Sequence, residues 1–159
     1  MKKILKLIMA IIGLLMAAAA GSAATLKSLK SSSGSSNKFQ LYYNTLNQWL
    51  MLKNSGKKVE EYFINNNYQT VAIYGMGELG NRLYEELNQS DNVKISYAID
   101  KNFGYLYEGD LEIVLPEDEL KPVDVIVVTA IFDFDSIYDK LQQQTDSFVV
   151  SLEEVVFEV

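Results

Sequence analysis

The sequence predicts an α/β protein: a three-layer, doubly wound parallel sheet of about five strands, preceded by a helical segment and an N-terminal hydrophobic helix. Three observations predict it. From residue 68 onward, short runs rich in Val and Ile alternate with segments whose apolar residues recur every three or four positions. One of these runs, VDVIVVTA at 123–130, is almost continuously apolar, as a strand covered on both faces requires. In TVAIYGMGELGNRLYEEL, residues 70–87, three glycines stand where a strand pattern gives way to a helix pattern.

The 159 residues suit one modest domain plus an appendage, and 48% apolar against 22% charged residues marks a globular chain. There is no cysteine and no histidine. Disulfides, thiolate catalysis, Cys/His zinc sites and imidazole acid-base chemistry are excluded together, and no metal site is expected. The net charge of −7 conceals a split: residues 1–30 hold five lysines and no acid, while the remainder holds 9 basic and 21 acidic side chains, a net −12. A body so acidic, with no basic stripe, repels phosphate backbones, so nucleic acid is not an expected partner.

Residues 1–30 read as a membrane anchor or a signal-like helix. After MKKILK, residues 7–24 carry one polar side chain, Ser22. Eighteen residues at ~1.5 Å each give about 27 Å, just short of a bilayer's roughly 30 Å of hydrocarbon. Membrane contact is therefore expected through residues 4–24. Three lysines precede the run and two follow it, which by the positive-inside bias points to export. A hairpin re-entering at Gly13 or Gly21 would keep both lysine groups, and the domain, on the cytoplasmic face. Cytoplasmic attachment is the favoured reading, and export by a signal peptide leaving at Ser22-Ala23-Ala24 is the alternative.

Residues 31–37, SSSGSSN, read as a Ser/Gly linker. Residues 38–67 read as a helical cap. In it Phe39, Tyr42, Leu46, Trp49 and Leu50 are expected on one apolar helix face that ends near Asn54-Ser55-Gly56. A short second helix follows, with Val59, Tyr62 and Phe63 as its stripe. Residues 68–159 are the sheet domain. Val71–Tyr74 are its first strand, and Leu79, Leu83 and Leu87 continue at helical spacing.

Gly75, Gly77 and Gly80 thus occupy a strand-to-helix turn. At such a turn the first glycine permits the tight bend, the second lets a pyrophosphate approach the backbone, and the third lets helix and strand pack closely. The helix amides then hold the phosphates. The second strand, residues 93–100, ends in Asp100, twenty residues after Gly80, where a carboxylate accepts hydrogen bonds from a ribose diol. Lys101 is placed to attract a 2'-phosphate instead. Beyond it come a strand at LEIVL, an acidic helical turn at 116–120, the strand VDVIVVTA, a helix in FDFDSIYDKLQQQ capped at Asp133 or Asp135, and a fifth strand, SFVVSL. Right-handed crossovers give the order 3-2-1-4-5, with ligands bound beyond the carboxyl ends of the strands. The expected cofactor-binding set is Gly75, Met76, Gly77, Glu78, Leu79, Gly80, Asp100, Lys101, Thr129 and Ala130.

AIYGMGELGNRLYEEL followed by YAIDKN resembles the Rossmann-like sugar-nucleotide-binding domain that precedes bacterial sugar acyltransferases. Such domains also stand beside glycosyltransferases and methyltransferases of cell-surface polysaccharide pathways. The resemblance covers roughly residues 68–152. It implies that Gly75, Gly77, Gly80 and Asp100 contact a nucleotide or nucleotide sugar, with NAD(P) or a nucleotide sugar as the ligand class. Lys101 departs from the pattern, which has an acid there, and no hexapeptide-repeat acyltransferase domain follows, so transferase activity is not carried over.

No catalytic residue is assigned. Glu78 is the best acid-base candidate by position, but a first-turn acid that stabilises its helix is the simpler role. Three function classes remain open. The first is an accessory nucleotide-binding module with a glycosyltransferase or acyltransferase partner. The second is an NAD(P)-dependent oxidoreductase or methyltransferase that borrows residues from a partner, and the third is a ligand-sensing regulatory domain.

Overall fold

The computed structural model describes residues 36–101 and 111–159. The expected apolar anchor lies outside the described residues, among which no helix is long and apolar enough to cross a membrane. Leu41–Val159 forms one compact unit.

Five parallel strands make the sheet, in the order β3-β2-β1-β4-β5. They are β1 (Thr70–Tyr74), β2 (Lys94–Ile99), β3 (Ile113–Val114), β4 (Val125–Val128) and β5 (Phe148–Ser151). The α/β class and the strand order agree with the sequence expectation. β1 is central, paired with β2 on one side and β4 on the other. The register with β2 slips between Val71 and Ala72, where Ser96 is the extra residue. All four residues of β4 are buried, which is why its sequence lacks the polar alternation of a one-sided strand. β3 has only two residues, shorter than the apolar run LEIVL suggests.

Alternate residues of each strand feed two cores. Val71, Ile73, Ala98, Val125, Val127 and Val150 face one side. There they meet α1 (helical from 36 to 54), α2 (Glu60–Asn65), α3 (Glu78–Leu87) and α5 (Leu152–Phe157). Ala72, Tyr97, Ile99, Ile126, Val128 and Val149 face the other side, against α4 (Phe134–Leu141) and the segment carrying Leu120 and Val123. Tyr97 is wholly buried and its hydroxyl donates to Lys121 O at 2.7 Å, so the phenol costs no unsatisfied polar atom.

Three sequence expectations need correction. Residues 36 and 37, expected in the linker, are already helical. Ser and Asn are at home near helix starts, so their polar character does not exclude a helix. The single apolar face expected on α1 is two faces. Trp49 is buried and Tyr42 half-buried, together with Thr45 and Leu52, whereas Phe39, Leu46 and Leu50 are exposed. Spacings of three and four fit either stripe, and the buried stripe includes Thr45, a polar residue that an apolar count passes over. Its hydroxyl donates to Leu41 O at 3.0 Å, which is what makes its burial tolerable. Finally, residues 116–118 form a turn and not a helix, with the Asp118 carboxylate accepting from Leu115 N–H.

The sequence also holds a helix that periodicity did not reveal. Ser151 caps α5, its hydroxyl accepting from Glu154 N–H at 3.0 Å. The stretch Ser151-Leu152-Glu153-Glu154 carries the Ser-x-x-Glu signature of a helix start. Leu152, Val155 and Val156 then complete the first core.

Candidate functional site

The carboxyl ends of β1, β2 and β4 bring most of the expected site residues together. The ladder runs to the last residue on both sides of β1: Gly75 N–H donates to Ile99 O at 2.8 Å and Thr129 N–H to Tyr74 O at 2.9 Å. There the chain turns sharply. Gly75 has φ +95°, a conformation that a side chain strongly disfavours. α3 starts two residues after Met76, with Gly77 as its N-cap.

The three glycines answer to three different constraints. Gly75 is held by its backbone angle. Gly80 is held by packing, because a Cβ there would lie 2.0 Å from Gly75 O. Gly77 has neither constraint: its φ of −75° and ψ of −162° are open to any residue, and no described residue lies within 4 Å of where its Cβ would be. Among the described residues, the space above Gly77 is open.

Side chains from elsewhere in the sheet hold the turn. Thr129 is 4% exposed, and its hydroxyl donates to Gly75 O at 2.6 Å. Asp100 Oδ2 accepts from Met76 N–H at 2.5 Å. Asn81 Nδ2 donates to Met76 O at 3.3 Å. Thr129 and Asp100 were read from the sequence as facing a ligand. In the fold, each fixes the backbone of the turn. Neither Asn81 nor this role of Thr129 was found by sequence reasoning, since the bonds depend on how β4 and α3 come to lie beside the turn.

The remaining expected residues divide by side-chain direction. Met76 and Leu79 are buried in the first core, so they have only backbone to offer a ligand, and the Met76 amide is engaged by Asp100. The Glu78 side chain is 76% exposed and lies 3.9 Å from the Arg82 guanidinium. Lys101 is exposed at the bend after Asp100, and Ala130 opens the 3-10 turn Ile131–Asp133. Tyr74, at the last position of β1, is a neighbour the sequence did not single out. Burial pushes its phenol up, and the negative charges of Asp100 and Glu117 push it further.

What the edge offers chemically is a bent glycine backbone, the first-turn amides of a ten-residue helix, which lack intrahelical acceptors, and a carboxylate beside them. This suits recognition of an anion by backbone groups. Two concavities lie elsewhere. One, of about 610 Å³, is bounded by α1, α2 and α3; the other, of about 720 Å³, lies near the amino ends of β1 and β2. Neither includes a residue of the glycine turn. No family model matches the chain, and neither does a curated protein or a solved structure.

Proposed function

We propose that residues 68–159 form a Rossmann-like module that binds a nucleotide or nucleotide sugar, accessory to bacterial envelope polysaccharide biosynthesis. The ligand class is NAD(P) or a nucleotide sugar. Attachment to the membrane through residues 4–24, on its cytoplasmic face and beside a glycosyltransferase or acyltransferase, belongs to the same proposal.

The observation that carries the binding reading is Gly77. The described fold demands glycine at 75 and at 80, but nothing among the described residues demands it at 77. An approaching pyrophosphate supplies the missing reason, since it needs the space a side chain would fill. Support comes from the position of the turn between two strands that diverge to either side, where ligands of parallel sheets gather. Asp100 adds a carboxylate at the end of the neighbouring strand. Charge tempers the anion affinity: Glu78 stands in the first turn of α3, with Arg82 near enough to offset part of its field.

A thermal-shift screen of the full chain against NAD(H), NADP(H), S-adenosylmethionine and UDP-, GDP- and CDP-sugars tests the reading. At least one ligand should raise the melting temperature, and calorimetry with Gly77→Val should show that ligand's affinity lost. If no ligand stabilises the chain, or if the variant binds as the parent does, the glycine turn is a structural connection only.

A further inference from the structure

The exposed stripe of α1 has no partner within the described fold. Tyr43, Leu46 and Leu50 are 68%, 46% and 56% exposed, and their spacings of three and four put them on one side of the helix over about 10 Å of its length. Leu46 and Leu50 line the 610 Å³ groove together with Lys53, Lys57 and Lys58. An apolar strip thus ends in a cluster of lysines.

The charge around this strip differs from that of the rest of the chain. All 21 acidic residues lie at Glu60 or later, and residues 60–159 carry only five basic ones. Residues 1–59 carry nine lysines and no acid. Two of the groove lysines have local partners. Lys53 pairs with Glu86 at 2.8 Å yet its side chain stays 58% exposed, and Lys57 donates to Val159 O at 2.6 Å. Glu60, Glu85 and Glu86 face the same groove from α2 and α3.

The geometry points to α1 as a surface-docking element for an anionic phospholipid bilayer, with Tyr43, Leu46 and Leu50 entering the headgroup boundary and Lys53, Lys57 and Lys58 meeting lipid phosphates. The pattern along residues 36–59 is that of an interfacial helix: an apolar strip, a neutral polar flank of Asn44 and Asn47, and four lysines with no acid, set against Glu60, Glu85 and Glu86 across the groove. A second copy is a poorer occupant. Even with Phe39 continuing the strip, four side chains a side fall short of the roughly 1,200 Å² of a stable protein interface, and pairing two copies would bring lysines together. The acidic remainder of the chain is repelled by the same lipid surface, which favours contact through this face alone. The inference is independent of nucleotide binding.

The chain has no native cysteine, so one cysteine at Leu50, and in a duplicate at Leu46, places an environment-sensitive dye on the stripe. Asp139 on α4, exposed and on the opposite side of the sheet, is the control. The full-length protein is mixed with phosphatidylcholine vesicles that contain or lack phosphatidylglycerol, with spin-labelled lipid as quencher. Emission from residues 50 and 46 should shift to the blue and be quenched on the anionic vesicles only, while residue 139 stays unchanged. Lys53→Gln, Lys57→Gln and Lys58→Gln together should weaken that response by about fivefold per lysine removed, with the fold checked by circular dichroism. Water-like emission from residue 50 on anionic vesicles that carry the protein would overturn the inference. So would equal quenching on neutral vesicles. A blue shift without vesicles, at concentrations where the chain sediments as a dimer, would assign the stripe to a second copy.

Discussion

The two ends of β1 are tied by the same device and finished differently. At the amino end, the Asp124 carboxylate accepts from the Gln69 and Thr70 amides at 2.9 and 2.8 Å and from the Thr70 hydroxyl at 2.8 Å. At the carboxyl end, the Asp100 carboxylate accepts from the Met76 amide. In both places an acid from a neighbouring strand end supplies an acceptor that the sheet ladder lacks. The amino end is then bordered by ordinary side chains, Gln69 and Thr70 among them, beside the 720 Å³ concavity. The carboxyl end is backbone packed on backbone through Gly75 and Gly80, and it is left open at Gly77. At one end side chains make the ties, while the other combines tight backbone packing with space at Gly77 that no described residue fills.

Four substitutions probe that contrast, in descending order of expected effect on stability. Gly80→Ala should cost about 3 kcal/mol or more, because its Cβ would meet a backbone oxygen at 2.0 Å and neither partner has a rotamer to escape into. The measure is the urea midpoint; a loss below about 1 kcal/mol would mean that helix and turn are less closely joined than described. Thr129→Val preserves the shape and removes the donor to Gly75 O. It should cost about 1–3 kcal/mol by the same measurement, and a neutral result would move the turn's support to Asp100.

Asp124→Asn tests the amino end, with an expected loss of about 1–2 kcal/mol at neutral pH because the carboxylate is solvent-exposed. The hydrogen bonds from Thr70 and Gln69 hold the Asp124 pKa below its usual value. A carboxyl group with a depressed folded pKa stabilises fully above its unfolded pKa of about 3.9 and loses that contribution as pH falls through the folded value. The gap between parent and variant should therefore be constant near neutrality and close in acid below about pH 4. A gap that persists there would show that the amide's own donors, and not the missing charge, cause the loss. Gly77→Val should have the smallest effect on stability, about 1 kcal/mol through a poorer N-cap, and the largest on ligand affinity, roughly tenfold or more. A stability loss like that of Gly80→Ala would remove the distinction between the two glycines.

Much of the sheet was legible in the sequence because its strands announce themselves. VIVV admits few readings besides a buried strand, and the glycine turn dates the first crossover. What escaped notice depends on partners distant in sequence. Thr129 reaches Gly75 across 54 positions, and no local pattern encodes that bond. The α1 faces were merged because Trp49 and Leu50 are adjacent in sequence, one buried and one exposed, and a spacing rule of three to four accepts both. α5 was missed for a different reason: its Ser-x-x-Glu start was present, but Ser151 is also the last residue of β5, so the apolar run SFVVSL read as strand through Leu152. The glycines at the site were found by spacing alone, whereas the division of labour among them required the backbone angles and the packing of α3.

The placement of Thr129 also sets an order of events during synthesis. A ribosome delivers β1, the glycine turn, α3 and β2 well before it delivers β4, so the first half can begin to pair while the central strand still lacks its second neighbour. Until Val125–Val128 emerge and dock, β1 presents an unpaired edge and Gly75 O has no hydroxyl to meet. The nascent chain thus carries a complete glycine sequence before it carries a finished turn, and the competence of that turn arrives with a strand made some fifty residues later.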